Sequence, residues 1–147
     1  MPTVFISEPL RIPAEFATDH EFSPWERNYL DAVNGVLQLC ADRGWSCYRT
    51  RTSTYDDLER RLKGAEICMA LRIPHMRSST QVNWECLSAI PGKGKNAVRD
   101  LVVFKVAPTA EFDEYWSGKP HVHEVLEDTS QLFATVERLM EAHASVD

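Results

Sequence analysis

Short apolar runs alternate along this chain with stretches of helical periodicity, and that alternation restricts the fold more than any single motif does. Val4-Phe5-Ile6 is β-rich and apolar without interruption, the pattern of a strand buried on both faces. Residues 45–48, the strongly hydrophobic Ile67-Cys68-Met69-Ala70-Leu71 and residues 101–106 repeat it, and residues 121–125 read as a short fifth strand. Between the first two runs, Ser23-Pro24-Trp25-Glu26 combines a capping box with proline at the first helical position. Tyr29, Val33, Val36, Leu37 and Cys40 then continue one apolar stripe until Gly44 stops the helix. Residues 54–64 carry Asp56 and Asp57 in a first turn and Leu58 and Leu62 four apart, which predicts a short second helix. A third is expected to open at Ser78, Ser79 or Thr80 and to end at Pro91-Gly92. The last starts from Asp128-Thr129-Ser130-Gln131 and runs through Leu132, Phe133, Val136, Leu139 and Met140.

Strands that alternate with helices predict a parallel sheet covered on both faces. Five strands in 147 residues fit one α/β domain over residues 1–147, a flavodoxin-like three-layer sandwich of strand order 2-1-3-4-5. Ligands in such sheets bind beyond the carboxyl ends of the strands, where the order reverses between the first and third. That rule selects Ser7, Glu8 and Pro9, and the loop and helix after Leu71. The loop over residues 8–22 is long for a strand-to-helix connection, as binding loops and lids are.

Composition removes several classes. With 16 Lys and Arg against 22 Asp and Glu, the net charge of −6 argues against binding duplex nucleic acid. No apolar run approaches the roughly 20 residues of a membrane helix. The first ten residues include Glu8 and Pro9 and lack the basic start and long apolar stretch of a signal peptide, so a cytoplasmic location is expected. Cys40, Cys47, Cys68 and Cys86 form no CxxC pair and read as free, structural thiols. His121-x-His123 would share a strand face but lacks a Cys or third His nearby in sequence, so no metal site is expected. No cofactor is expected either.

One carboxylate falls in an unusual place. The apolar stripe of the third helix runs Val82, Cys86, Ala89 and Ile90, and Glu85 lies three after Val82 and four before Ala89, on the same face. A charge there is costly unless it is paired or lines a cavity. It either caps the helix or pairs with Arg72 or Arg77, or it faces the crevice that the switch-point rule selects.

Leu62-Lys63-Gly64-Ala65-Glu66-Ile67-Cys68-Met69-Ala70, a loop, and then Trp84-Glu85 with Ala89 four residues later resemble the nucleoside 2-deoxyribosyltransferase superfamily. Val4-Phe5-Ile6-Ser7-Glu8-Pro9 is similar to its first strand and "Gly-Pro" loop, with Glu8 in place of glycine. Two further glycines of the family pattern are missing around Glu85, where Leu87 holds one of the positions. The nearest subgroup in pattern is the nucleotide N-glycosidases that release a pyrimidine from its 5′-monophosphate. A rival resemblance is carried by Leu71-x-x-Pro74-His75-Met76-x-Ser78-Ser79 and Val82-x-Trp84-Glu85, which look like the segment around the catalytic Glu of TIR domains. Catalytic TIR domains split the glycosidic bond of NAD or cyclise the ADP-ribose product. A third possibility is a non-catalytic, TIR-like interaction module.

Both catalytic resemblances imply the same chemistry. Breaking an N-glycosidic bond builds oxocarbenium-like charge at the anomeric carbon, which a carboxylate stabilises or attacks. Glu85 takes that role in the resemblance, and Asp57, with Asp56 or Glu8 as substitutes, would relieve the leaving base of charge. Arg77, Ser78 and Ser79 would supply donors to a 5′-phosphate, and Trp84 could stack on a base. The implied partner is a small-molecule nucleotide or nucleoside. Related transferases complete their sites across subunits, so a homodimer is expected.

Overall fold

The computed structural model describes residues 2–8, 24–50, 53–73, 100–108, 110 and 121–144. Within them the elements are β1 (Thr3–Ser7), α1 (Pro24–Arg43), β2 (Ser46–Arg49), α2 (Tyr55–Lys63), β3 (Ile67–Arg72), β4 (Asp100–Lys105), β5 (Val122–Leu126) and α3 (Thr129–Ala144). All five strands are parallel, in the order β2-β1-β3-β4-β5. This is the flavodoxin-like arrangement expected from the sequence. The helix expected to open at residues 78–80 lies outside the described residues.

Alternation along the strands divides the core in two. Val4, Ile6, Ile67, Met69, Leu71, Val102 and Phe104 face one way and pack with α1 and α3, through Tyr29, Val33, Val36, Cys40, Leu132, Val136 and Met140. Phe5, Cys68, Ala70, Leu101 and Val103 face the other way, against Leu58 and Leu62 of α2. The central strands are apolar without a break because each residue meets one of these layers. Among the described helices, none is long and apolar enough to cross a membrane.

Caps fix the helix ends where the sequence placed them. Thr54 accepts from the Asp57 N–H and opens α2, and the Asp128 carboxylate accepts from the Gln131 N–H at 3.2 Å and opens α3. Gly44, at φ 71°, turns the chain out of α1. Gly35 lies under the Phe133 ring, where α1 meets α3 with no room for a side chain between them.

Strand boundaries move by a residue or two from the expected ones. Trp45 is not in β2, because its N–H bonds back to the Cys40 carbonyl at 2.9 Å and belongs to the end of α1. Arg49, expected just past the strand, is its last residue and pairs in register with Ile6. Similarly, Arg72 closes β3 and Asp100 opens β4. His121 precedes β5 in a left-handed turn at φ 66°, so His121 and His123 do not share a strand.

Candidate functional site

The chain runs from β1 out to β2 and back across to β3, so the order reverses at β1, and the register brings Ser7 beside Ala70 there. Just beyond β1 stands Glu8, with none of its surface exposed. Its carboxylate is held from two elements. Arg49 at the end of β2 donates Nε to Oε2 and Nη2 to Oε1, both at 2.8 Å. Tyr29 on α1 donates its hydroxyl to Oε1 at 2.7 Å. A two-pronged guanidinium contact and a phenol fix both the position and the plane of the carboxylate. The hydrogen bonds to Glu8 raise the Arg49 pKa above its ordinary value, outweighing the opposing effect of burial.

Backbone contacts lock the same corner. Thr50 is buried; its hydroxyl accepts from the Glu8 N–H at 3.2 Å and donates to the Ile6 carbonyl at 3.3 Å. Ser53 donates to the Arg49 carbonyl at 2.7 Å and accepts from Arg61 Nη1 at 3.0 Å, and the Arg61 guanidinium lies 4.3 Å over the Tyr48 ring. On the other side of β1, Arg72 ends β3 and is almost fully buried. Asn28 ties α1 to the end of β4 by donating to the Val106 carbonyl at 3.2 Å.

Of the residues selected from sequence, Ser7 and Glu8 therefore stand together at the switch point. Asp57 is in the first turn of α2, where Thr54 donates to one carboxylate oxygen at 3.0 Å and Arg60 to the other at 2.7 Å. About a third of its side chain is exposed. Pro9, Arg77, Ser78, Ser79, Trp84 and Glu85 lie outside the described residues. Sequence reasoning missed Arg49, Tyr29 and Thr50 as members of the corner. The only signal for Arg49 was a basic residue at a strand's carboxyl end, and Tyr29 read as one more position on an apolar stripe.

At the opposite end of the sheet, Asp100 opens β4 and gathers three imidazoles. His143 Nε2 lies 2.7 Å from Oδ2, and His123 Nε2 and His121 Nδ1 lie 3.1 and 3.4 Å from Oδ1. Burial pushes the Asp100 pKa up, but the hydrogen bonds and charges of His123 and His143 outweigh it and hold the carboxyl below its usual range. Among the described residues, no group of His, Cys, Asp and Glu has the arrangement of a metal site. The cluster instead joins β4, β5 and α3, with the Trp45 ring edge-on to His143.

No family model matches the chain, and no curated protein matches it. Among solved structures it is similar to a fragment of a proposed lipoprotein from Peptoclostridium difficile 630, with a TM-score of 0.51 and 7% identity over 95% of this chain and 99% of that one. At that identity the likeness is one of fold.

Proposed function

We propose that this domain cleaves the N-glycosidic bond of a nucleoside 5′-monophosphate, with Glu85 as nucleophile or oxocarbenium stabiliser. The observation that best supports a polar ligand at this end of the sheet is the Glu8–Arg49–Tyr29 arrangement. A charged pair on a carboxylate without exposed surface is expensive to desolvate and contributes little to stability compared with an apolar corner of equal volume. Its use is to hold a rigid, polar floor beside the strand-order reversal, where a sugar and phosphate would need oriented donors. Glu8 then serves as a positioning residue and leaves leaving-base chemistry to Asp57. Arg77, Ser78 and Ser79 would hold the phosphate and Trp84 would stack on the base, as the resemblance implies. A homodimer is part of the proposal, and light scattering at high micromolar concentration should give twice the chain mass.

The test is incubation of the purified protein with nucleosides, nucleoside monophosphates and NAD, with free base resolved by chromatography. Base release from a monophosphate, faster than from its nucleoside, is the expected result. Nicotinamide release from NAD with every monophosphate intact would transfer the assignment to TIR-like NAD cleavage. Release of no base from any substrate would leave the interaction-module reading in place.

A further inference from the structure

Glu26 lies in the first turn of α1, where it is the last residue of the capping box. Its helical phase puts it in unusual company for a carboxylate. Tyr29, Val33, Val36 and Cys40 follow it at three, seven, ten and fourteen positions, and all four are buried on the face of α1 that meets the sheet. Glu26 therefore opens an apolar stripe with a charge. Its Oε1 has lost contact with solvent and accepts no hydrogen bond, and among the described residues it is the one buried side-chain oxygen or nitrogen of which that is true. The residue as a whole stays partly exposed, so one oxygen is enclosed while the side chain remains within reach of a ligand.

The neighbours of this turn fix where it stands. The Tyr29 hydroxyl donates to Glu8 just beyond β1, and Asn28 donates to the Val106 carbonyl just beyond β4. The first turn of α1 thus spans the carboxyl ends of these strands, next to the reversal of strand order. Two other carboxylates at this end already have their donors: Glu8 from Arg49 and Tyr29, and Asp57 from Thr54 and Arg60. Glu26 differs in having a buried acceptor without one. That is a cost to folding, and it is recovered when a ligand brings an O–H to the oxygen.

We propose that Glu26 is a specificity residue for the sugar, with Oε1 accepting the hydrogen of a ribose hydroxyl of the bound nucleotide. The inference rests on the glycosidase reading, which sets the sugar over the Glu8–Arg49–Tyr29 floor, one helical turn from Glu26. A carboxylate only accepts hydrogen bonds, so it selects O–H donors and repels a phosphate, which keeps the sugar end of the ligand against α1. Replacing the bound hydroxyl by hydrogen strands the buried oxygen again. Such an arrangement discriminates strongly between a sugar and its deoxy analogue.

Calorimetric titration of the full chain with ribose 5-phosphate, which has no base to lose, separates binding from bond cleavage. Glu26→Met should weaken binding about ten- to hundredfold, and Glu26→Gln, which keeps an acceptor oxygen, should recover part of the loss. One of 2-deoxyribose 5-phosphate and 3-deoxyribose 5-phosphate should bind the wild type correspondingly weakly and lose little more in Glu26→Met, which identifies the hydroxyl. Without ligand, Glu26→Met should unfold at or above the wild-type urea midpoint, because no hydrogen bond of Oε1 is lost. Equal affinity of Glu26→Met and wild type, the same loss for all three sugar phosphates, a midpoint well below wild type, or a wild type that binds no sugar phosphate would each overturn the proposal. Base release, measured separately, bears on the glycosidase reading alone: a chain that binds ribose 5-phosphate through Glu26 and releases no base upholds this inference and refutes that reading.

Discussion

At residue 8 a carboxylate gives up all contact with solvent and takes three hydrogen bonds from Arg49 and Tyr29 instead. Removing its charge leaves the partly buried Arg49 guanidinium against a neutral amide. Glu8→Gln should therefore cost about 3 kcal/mol, read as a lower urea midpoint at unchanged slope. Asp100 makes the opposite end of the sheet pH-sensitive in a definite direction. Its folded pKa is depressed, so its stabilisation is present above the ordinary carboxylate value and is lost as pH falls through the lower, folded value. Wild type should accordingly exceed Asp100→Asn in stability at neutral pH, and the gap should close as urea titrations are repeated below pH of about 4. Neither cluster was legible in the sequence. Glu8 and Arg49 lie 41 positions apart, Asp100 and His143 lie 43 apart, and nothing in local spacing connects partners that only strand order makes neighbours. Glu8 alone stands out by a general rule, because it follows the strand at which the order reverses; the role of His121 and His123 stays hidden because the third imidazole comes from α3.

Elements were legible to the extent that their signals are local. Apolar runs marked β1, β3 and β4, while β2 and β5 are more polar, and caps at Thr54, Gly44 and Asp128 marked helix ends, because each depends on residues within one turn. Strand ends were less legible. Arg49 and Arg72 are charged residues that a hydropathy reading excludes, yet the register with Ile6 and Lys105 extends the ladder to them. The α1–α3 contact adds a constraint that helix propensity would misjudge. Alanine normally favours a helix interior over glycine by roughly 1 kcal/mol, but a Cβ on Gly35 would fall 2.1 Å from the Phe133 ring. Gly35→Ala should therefore destabilise the fold by about 1–3 kcal/mol, measured by thermal or urea unfolding. Gly35→Ala with Phe133→Leu should recover part of the loss.

On the scale of the whole molecule, the sheet has two chemically different ends: a carboxylate–guanidinium corner beyond β1 and β2, and a carboxylate–imidazole cluster below β4 and β5. The proposed chemistry belongs to the first. Glu85→Gln should lower base release by orders of magnitude while the circular dichroism spectrum and urea midpoint stay close to wild type. Loss of folding in that variant would mean that the carboxylate supports the structure and not the reaction.

The sheet also ends sideways, in β2 and β5, and β2 is only four residues long with Arg61 lying across its Tyr48 ring. An edge that short, with a bulky cation beside it, offers an incoming chain few backbone groups to zip onto. Two copies of this protein are therefore poorly placed to join β2 to β2 in one continuous ladder, and the native state is guarded on that side against runaway strand-to-strand polymerisation.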